Sequence, residues 1–338
     1  MTSVRVILLF LMAITAALIS SQGVLRAHIK KLQSSSDNYH EHQKYEKYIP
    51  GQSEETILKN ILQTDATTAC RDIWKDKTVA QYKLGLKKYQ DAINNLEEPV
   101  PNLMVDVKRS GGKHDACGRT RLHPKGITGL FPKNHLSFSS SGYIEPLFPP
   151  SRTCGNNTND DEDVLSHLVH DFEAMCHTLL PYSNIVLFDI GASSDFRGNK
   201  SPLERLLDVY ERMGFIFDHI YAFEETFEDP KKVYGSLLPE KYIPSYHWIN
   251  VGISSEQGSK MNPLHSILKK FTEDDLIVVK FNLDTSIGAT LARQLLEDDA
   301  YSTLIGQFYG TPGNVTASDS LELFSKLREA GIPAHYLL

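Results

Sequence analysis

From about residue 181 onward, short apolar runs alternate with segments in which apolar residues recur every three or four positions. The first runs read IVLFDIG from Ile185, FDHIYAFE from Phe217 and YHWINVGIS from Tyr246. Continuous apolar runs of this length are typical of strands buried on both faces of a sheet. The pattern therefore predicts buried strands connected by helices.

The segment SPLERLLDVYERMG, residues 201–214, carries the clearest helix signals. Ser201 can cap the helix, Pro202 suits its first position and Glu204 completes a capping box. Gly214 suits the position just after the helix end, where the backbone turns. The apolar stripe that we expect to be buried comprises Leu203, Leu206, Leu207 and Tyr210.

The alternation continues to the C-terminus. Strand patterns DLIVVKFNLD, LIGQFYG and IPAHYLL alternate with helix patterns PLHSILKKF, GATLARQLLEDD and SDSLELFSKLREAG. Strands separated by helical crossovers pair in parallel. We therefore predict an α/β fold with a doubly wound, mostly parallel, Rossmann-like sheet over residues 181–338.

The N-terminal half is organised differently. Residues 26–53 are polar and lack apolar periodicity, so they are interpreted as a stem or linker. Helical spacing then begins at residue 54, whereas 99–150 is rich in Gly, Pro, Ser and basic residues. We interpret 54–180 as a helical and irregular extension that packs on the core.

Residues 1–25 predict entry into the secretory pathway. Arg5 precedes an apolar run from Val6 to Ile19, which has the length of a signal-peptide core. Ser21 and Gly23 would suit cleavage after Gly23, but an uncleaved run extended through Leu25 would just span a bilayer. A signal peptide and a signal anchor both remain open, and either one places the chain in the lumen of the ER or Golgi or outside the cell.

Other features bear on this compartment. The four cysteines, Cys70, Cys117, Cys154 and Cys176, allow two disulfides in any of three pairings. Sequons at Asn156 and Asn314 agree with a glycoprotein. The formal net charge of −7, without a sustained basic block, argues against nucleic-acid binding.

Several polar residues stand where predicted strands end. Ligands of parallel sheets bind at the carboxyl ends of the strands, which singles out Asp189 to Ser193, Glu224, Asn250 and Asp284. Gly191 permits a sharp turn, and Glu224 can accept hydrogen bonds from ribose hydroxyls. From spacing alone, a loop-capping Asp189 and a solvated Glu224 explain the pattern equally well.

The motifs VLFDIGASSDF, FDHIYAFEET, EDDLIVVKFNLDTS and DSLELFSKLREAGIPAH resemble FkbM-type S-adenosylmethionine-dependent methyltransferase-like proteins of algae and other protists. The resemblance runs from about Cys176 to the C-terminus and implies a class I methyltransferase-like fold. It implies that Asp189, Gly191, Ala192 and Ser193 form the first cofactor motif. It also implies that Glu224 binds the ribose and that Asn250 lies near the adenine.

The same resemblance implies methyl transfer to an oxygen nucleophile, with Asp284 as the first candidate base and His265 as the second. Two positions depart from the family pattern. This chain reads K-F-N-L-D, with Asn282, where the family usually has K-L-D-I-D. It also reads QFYGTPGNVT after the fifth strand, where the family has an acidic and histidine cluster.

Three functions follow from these patterns. The first is a lumenal S-adenosylmethionine-dependent methyltransferase, anchored or secreted, that acts on a small-molecule or glycan hydroxyl. The second is a catalytically inactive binding module with the same fold. The third is a type II glycosyltransferase that would hold a divalent metal at Asp161 and Asp163, although helix-start electrostatics also explain that acidic pair.

Overall fold

The computed structural model describes residues 48–51, 54–56, 58–59, 77, 179–180, 182–192, 202–212, 214–282, 286–311 and 317–336. All of them belong to one compact unit, Glu46–Leu338. The predicted leader, the four cysteines, both sequons and the Asp161/Asp163 pair lie outside the described residues. No helix among the described residues is long and apolar enough to cross a membrane.

Within the described residues, six parallel strands form one sheet in the order β3-β2-β1-β4-β5-β6. This confirms the predicted α/β fold with a parallel sheet. The strands are β1 (Ile185–Ile190), β2 (His219–Phe223), β3 (Tyr246–Ile249), β4 (Leu276–Asn282), β5 (Ile305–Thr311) and β6 (Ala334–Tyr336).

Helices occupy the connections between the strands. They are α1 (Pro202–Arg212), α2 (Pro230–Lys232), α3 (Pro263–Ser266), α4 (Ser286–Gln294), α5 (Ala300–Leu304) and α6 (Ala317–Glu329). A π-helical turn, Val233–Leu237, follows α2, and 3₁₀ turns cover Glu240–Tyr242 and Leu268–Lys270.

Helices cover both faces of the sheet. Tyr210 of α1 lies with its hydroxyl 3.3 Å from that of Tyr309, whereas Phe324 of α6 packs edge-on against Phe308. Phe308 and Tyr309 are consecutive residues of β5, so their side chains point to opposite faces. The sheet is therefore doubly wound, with α1 on one face and α6 on the other.

Helix α1 follows its sequence pattern closely. Gly214 has φ 83°, in the left-handed region that suits glycine after a helix. The Phe215 N–H then donates to the Tyr210 carbonyl at 2.9 Å. The predicted stripe is confirmed, because all four of its residues are at most 3% exposed: Leu203, Leu206, Leu207 and Tyr210.

An N-terminal strap, the described part of residues 48–59, packs against the last helix. Arg328 of α6 is fully buried and donates from Nη1 to the Tyr48 hydroxyl at 3.0 Å. Nη1 also lies 3.6 Å from Glu54, which accepts a short hydrogen bond from Tyr48. Nε and Nη2 of Arg328 donate to the Ala334 carbonyl. The strap begins within the segment predicted as a stem and joins the extension to β6.

Candidate functional site

The chain turns sharply where β1 ends. Gly191 has φ 78°, a conformation that other residues adopt only with strain. The N–H groups of Gly191 and Ala192 both donate to the Phe223 carbonyl, at 3.0 and 2.9 Å. Because Phe223 is the last residue of β2, these bonds fix the glycine turn beside the end of that strand.

Glu224 follows Phe223 directly and is held by its backbone and by one carboxylate oxygen. Its N–H donates to the Ile249 carbonyl at 3.2 Å, and Oε1 accepts from the Thr226 N–H at 2.7 Å. Within the described part of the chain, Oε2 accepts no hydrogen bond. The half-buried carboxylate is therefore fixed in place while one oxygen stays available to a ligand.

Asn250 fastens the loop that follows β2. Its Nδ2 donates to the Glu224 and Thr226 carbonyls at 2.8 and 2.7 Å, and its Oδ1 accepts from the Glu228 N–H at 3.0 Å. Both polar ends of the amide are thus engaged by the loop. In this structure Asn250 positions residues 224–228, which is a supporting role for the neighbouring Glu224.

Asp189 lies within β1, two residues before Gly191. Its side chain is fully buried and forms an ion pair with Lys280, the residue directly opposite on β4. A charge removed from water is stable only when it is paired or hydrogen-bonded. The chain leads from β1 to β2 on one side of this pair and from β4 to β5 on the other. The pair therefore joins β1 to β4 at the point where the strand order reverses.

Two buried polar atoms near this pair have no hydrogen-bond partner in the described structure: Asp189 Oδ2 and Trp248 Nε1. Both residues belong to one row across the sheet, separated by the small, buried Ala222. Buried polar atoms without partners are uncommon and often mark a site for water or a ligand. Burial, reinforced by the Asp189 charge, raises the pKa of the nearby Tyr246 far above its usual value.

The remaining predicted residues lie elsewhere. Asp284 and Ser193 fall outside the described residues. His265 is exposed on the short helix α3, whose first turn is held by Asn262. Asn262 in turn donates to Gln294, the last residue of α4. These bonds hold the start of α3 beside the last residue of α4.

The structure therefore brings together Asp189, Gly191, Ala192, Glu224 and Asn250 at the ends of three adjacent strands. Sequence reasoning did not single out Lys280, although a lysine within the apolar run LIVVKF signals a buried and paired charge. It also missed Glu225, whose carboxylate lies 3.8 Å from the position of a Cβ on Gly252. Glu225 and Gly252 therefore lie close together in the loops after β2 and β3, and no pattern in the sequence indicates this.

No protein-family model, curated protein or solved structure matches this chain. The described residues also contain no group of three His, Cys, Asp or Glu side chains able to hold a metal ion. The geometry of the strand ends is thus the main guide to function.

Proposed function

We propose that this protein binds S-adenosylmethionine in the crevice at the carboxyl ends of β1 and β2, as a methyltransferase-like protein of the FkbM type. The observation that carries the proposal is the pair of hydrogen bonds from Gly191 and Ala192 to Phe223. They place a turn without a side chain next to Glu224. Binding of a nucleoside uses both the carboxylate and the turn. The ribose hydroxyls need an acceptor such as Glu224, and a turn at glycine lets the protein backbone approach the ligand closely.

The charge of the crevice favours this cofactor over dinucleotides. Glu224, Glu225, Glu228 and Asp229 follow one another closely after β2, and the described salt bridge of this loop joins Glu228 to Lys232. A pyrophosphate would be repelled by such a loop. S-adenosylmethionine carries a sulfonium and an ammonium against one carboxylate, so the acidic loop attracts it.

When bound, the cofactor would supply an electrophilic methyl group. The part of this chain would be to hold the acceptor hydroxyl in line with that group and to remove its proton. We propose Asp284, just beyond β4, as the base, with His265 as the less suitable candidate because of its exposed position on α3. A glycan or small-molecule hydroxyl in the secretory lumen is the proposed acceptor.

A non-catalytic binding module is the second candidate, and one observation favours it. The ends of β4 and β5 pair through Asn282 and Thr311, preceded by Gly310. Neutral residues thus occupy strand ends where a transferase needs a base or a metal ligand. Cofactor binding without methyl transfer to any acceptor would support this second function.

Calorimetric titration of the full-length protein with S-adenosylmethionine and S-adenosylhomocysteine tests the proposal. Glu224→Gln keeps an acceptor for the Thr226 N–H but removes the charge at the ribose. Hydrogen bonds to charged groups contribute about 1.5–3 kcal/mol, so we expect affinity to fall roughly 10- to 100-fold. Glu329→Gln, at the exposed end of α6, is the matched control and should bind nearly as the wild type does. Equal affinity of both variants would contradict the proposed role of Glu224.

A further inference from the structure

Two histidines meet on the face of the sheet opposite Asp189. His219 begins β2 and His247 lies in β3, and the Nδ1 of His219 is 3.0 Å from the Nε2 of His247. Their ring centroids are 5.2 Å apart, so the rings meet through these nitrogens rather than by stacking. At this distance one N–H donates to the lone pair of the other nitrogen.

The surroundings of this histidine pair are aromatic. Tyr221 stacks on His247 with ring centroids 4.8 Å apart and also contacts His219 at 5.8 Å. Phe188 of β1 and Phe271 of the loop before β4 pack against Tyr221 in turn. Burial raises the pKa of Tyr221, which keeps its hydroxyl neutral at physiological pH. Among the described groups, the charge that acts on His247 is that of His219.

The strand that carries His247 is an edge strand. On its inner side β3 pairs with β2. On its outer side the Tyr234 hydroxyl takes the place of a further strand, because it accepts from the Trp248 N–H and donates to the Tyr246 carbonyl, both at 3.1 Å. Because the described residues place no strand beyond it, β3 is held in the sheet by its pairing with β2 on one side only.

We propose that the histidine pair is a pH-sensitive latch that holds β3 against β2 at neutral pH and releases it on acidification. The neutral pair holds one proton between the two facing nitrogens. A first added proton can be accommodated, since N–H⁺ still donates to a neutral nitrogen. A second proton leaves two N–H groups facing each other with like charges, and the 3.0 Å contact is lost.

The direction of the pH effect follows from the two folding states. Burial, and then the charge of His219, lower the pKa of His247 in the folded protein. The unfolded chain therefore takes up this proton at higher pH, near the ordinary value of about 6.5. The latch contributes its full stability above that value and loses it as the pH falls toward the lowered pKa.

The latch also regulates the proposed cofactor crevice, and this consequence rests on the proposed function. Ile249 ends β3 and accepts from the Glu224 N–H, and the adjacent Asn250 fastens residues 224–228. Release of β3 would therefore loosen the loop that presents Glu224. The affinity for the ligand should therefore fall together with the protection of the β3 amides against hydrogen exchange.

Hydrogen exchange of the full-length protein tests the latch without any ligand. We expect the protection factors of residues 246–249 to fall about tenfold between pH 7 and pH 5, because the second proton breaks the contact between the two histidines. His247→Gln places a neutral amide near the position of Nε2, so this variant should keep its protection at pH 5. Glu240→Gln removes an exposed titratable group before β3, and its protection factors should fall as those of the wild type do. The same loss of protection in His247→Gln would overturn the proposal.

Titration with S-adenosylhomocysteine at both pH values tests the coupling. The wild type should lose affinity at pH 5 and His247→Gln should retain it. If the ligand binds at neither pH, the proposed function fails while the exchange experiment still decides the latch. If it binds equally well at both pH values although β3 loses protection, the regulatory coupling is refuted.

Discussion

At the scale of residues, the buried ion pair of Asp189 and Lys280 makes the sheet sensitive to the loss of either partner alone. Lys280→Met leaves the Asp189 carboxylate buried without its cation, which should lower the free energy of unfolding by about 3–5 kcal/mol. The double variant Asp189→Leu with Lys280→Met should recover most of that loss, because apolar pairs often replace buried ion pairs at little cost. Urea denaturation measures both effects.

The exposed Lys270→Met is the control for this prediction and should change stability little. If Lys280→Met were no more destabilising than Lys270→Met, the ion pair would not have the structural role assigned to it.

Gly191 permits a second residue-scale prediction with a closely matched control. Gly191 and Gly258 have φ values of 78° and 80°, and a Cβ on Gly258 would meet open space. Changing either residue to Ala should cost about 1–3 kcal/mol of backbone strain, measured as a shift in unfolding free energy. Only Gly191→Ala should also weaken S-adenosylhomocysteine binding, since its turn lies at the crevice. Unchanged affinity in Gly191→Ala would argue against a ligand at this turn.

At the scale of elements, the N-terminal strap stabilises the last helix through one polar cluster. Tyr48→Phe removes the hydroxyl between Arg328 and Glu54, so we expect a loss of about 1.5–3 kcal/mol in unfolding free energy. Tyr182→Phe is the control, because Tyr182 is 67% exposed and reaches Asp274 only at 3.5 Å. Equal effects of the two changes would mean that the strap does not contribute to stability.

The elements themselves could largely be predicted from the sequence. The six strand patterns and the helices α1, α4 and α6 follow apolar periodicity, and each appears in the structure near its predicted position. The predicted helix PLHSILKKF is instead a four-residue helix followed by a 3₁₀ turn. Asn262 caps the helix through Leu264, and Ile267, with φ −120°, departs from helical geometry and separates the helix from the 3₁₀ turn.

Contacts between elements could not be predicted in the same way. Asp189 and Lys280 are 91 residues apart, and Arg328 and Tyr48 are 280 apart. The first contact depends on strand order and register, and the second depends on how the N-terminal strap packs against α6. Local sequence patterns specify neither. The same holds for His219 and His247, whose pairing requires that β2 and β3 be neighbours.

At the scale of the whole molecule, a doubly wound parallel sheet directs the carboxyl ends of β1, β2 and β3 to one edge. That arrangement brings together residues 189–192, Glu224 and Asn250, which lie far apart along the chain. The fold permits many ligands, so the sheet does not decide the chemistry. In the proposed function, the acidic loop after β2 and the glycine turn are the features that favour S-adenosylmethionine.

The most direct test of the proposed function is therefore a comparison of ligands on the wild-type protein. Calorimetry should include S-adenosylmethionine, S-adenosylhomocysteine, NAD and a UDP-sugar with manganese. We predict that the first two bind without metal and that the other two do not. For NAD the reason is that the acidic loop repels its pyrophosphate. Binding of the UDP-sugar with manganese, or of none of the four by folded protein, would contradict the assignment of this crevice to S-adenosylmethionine.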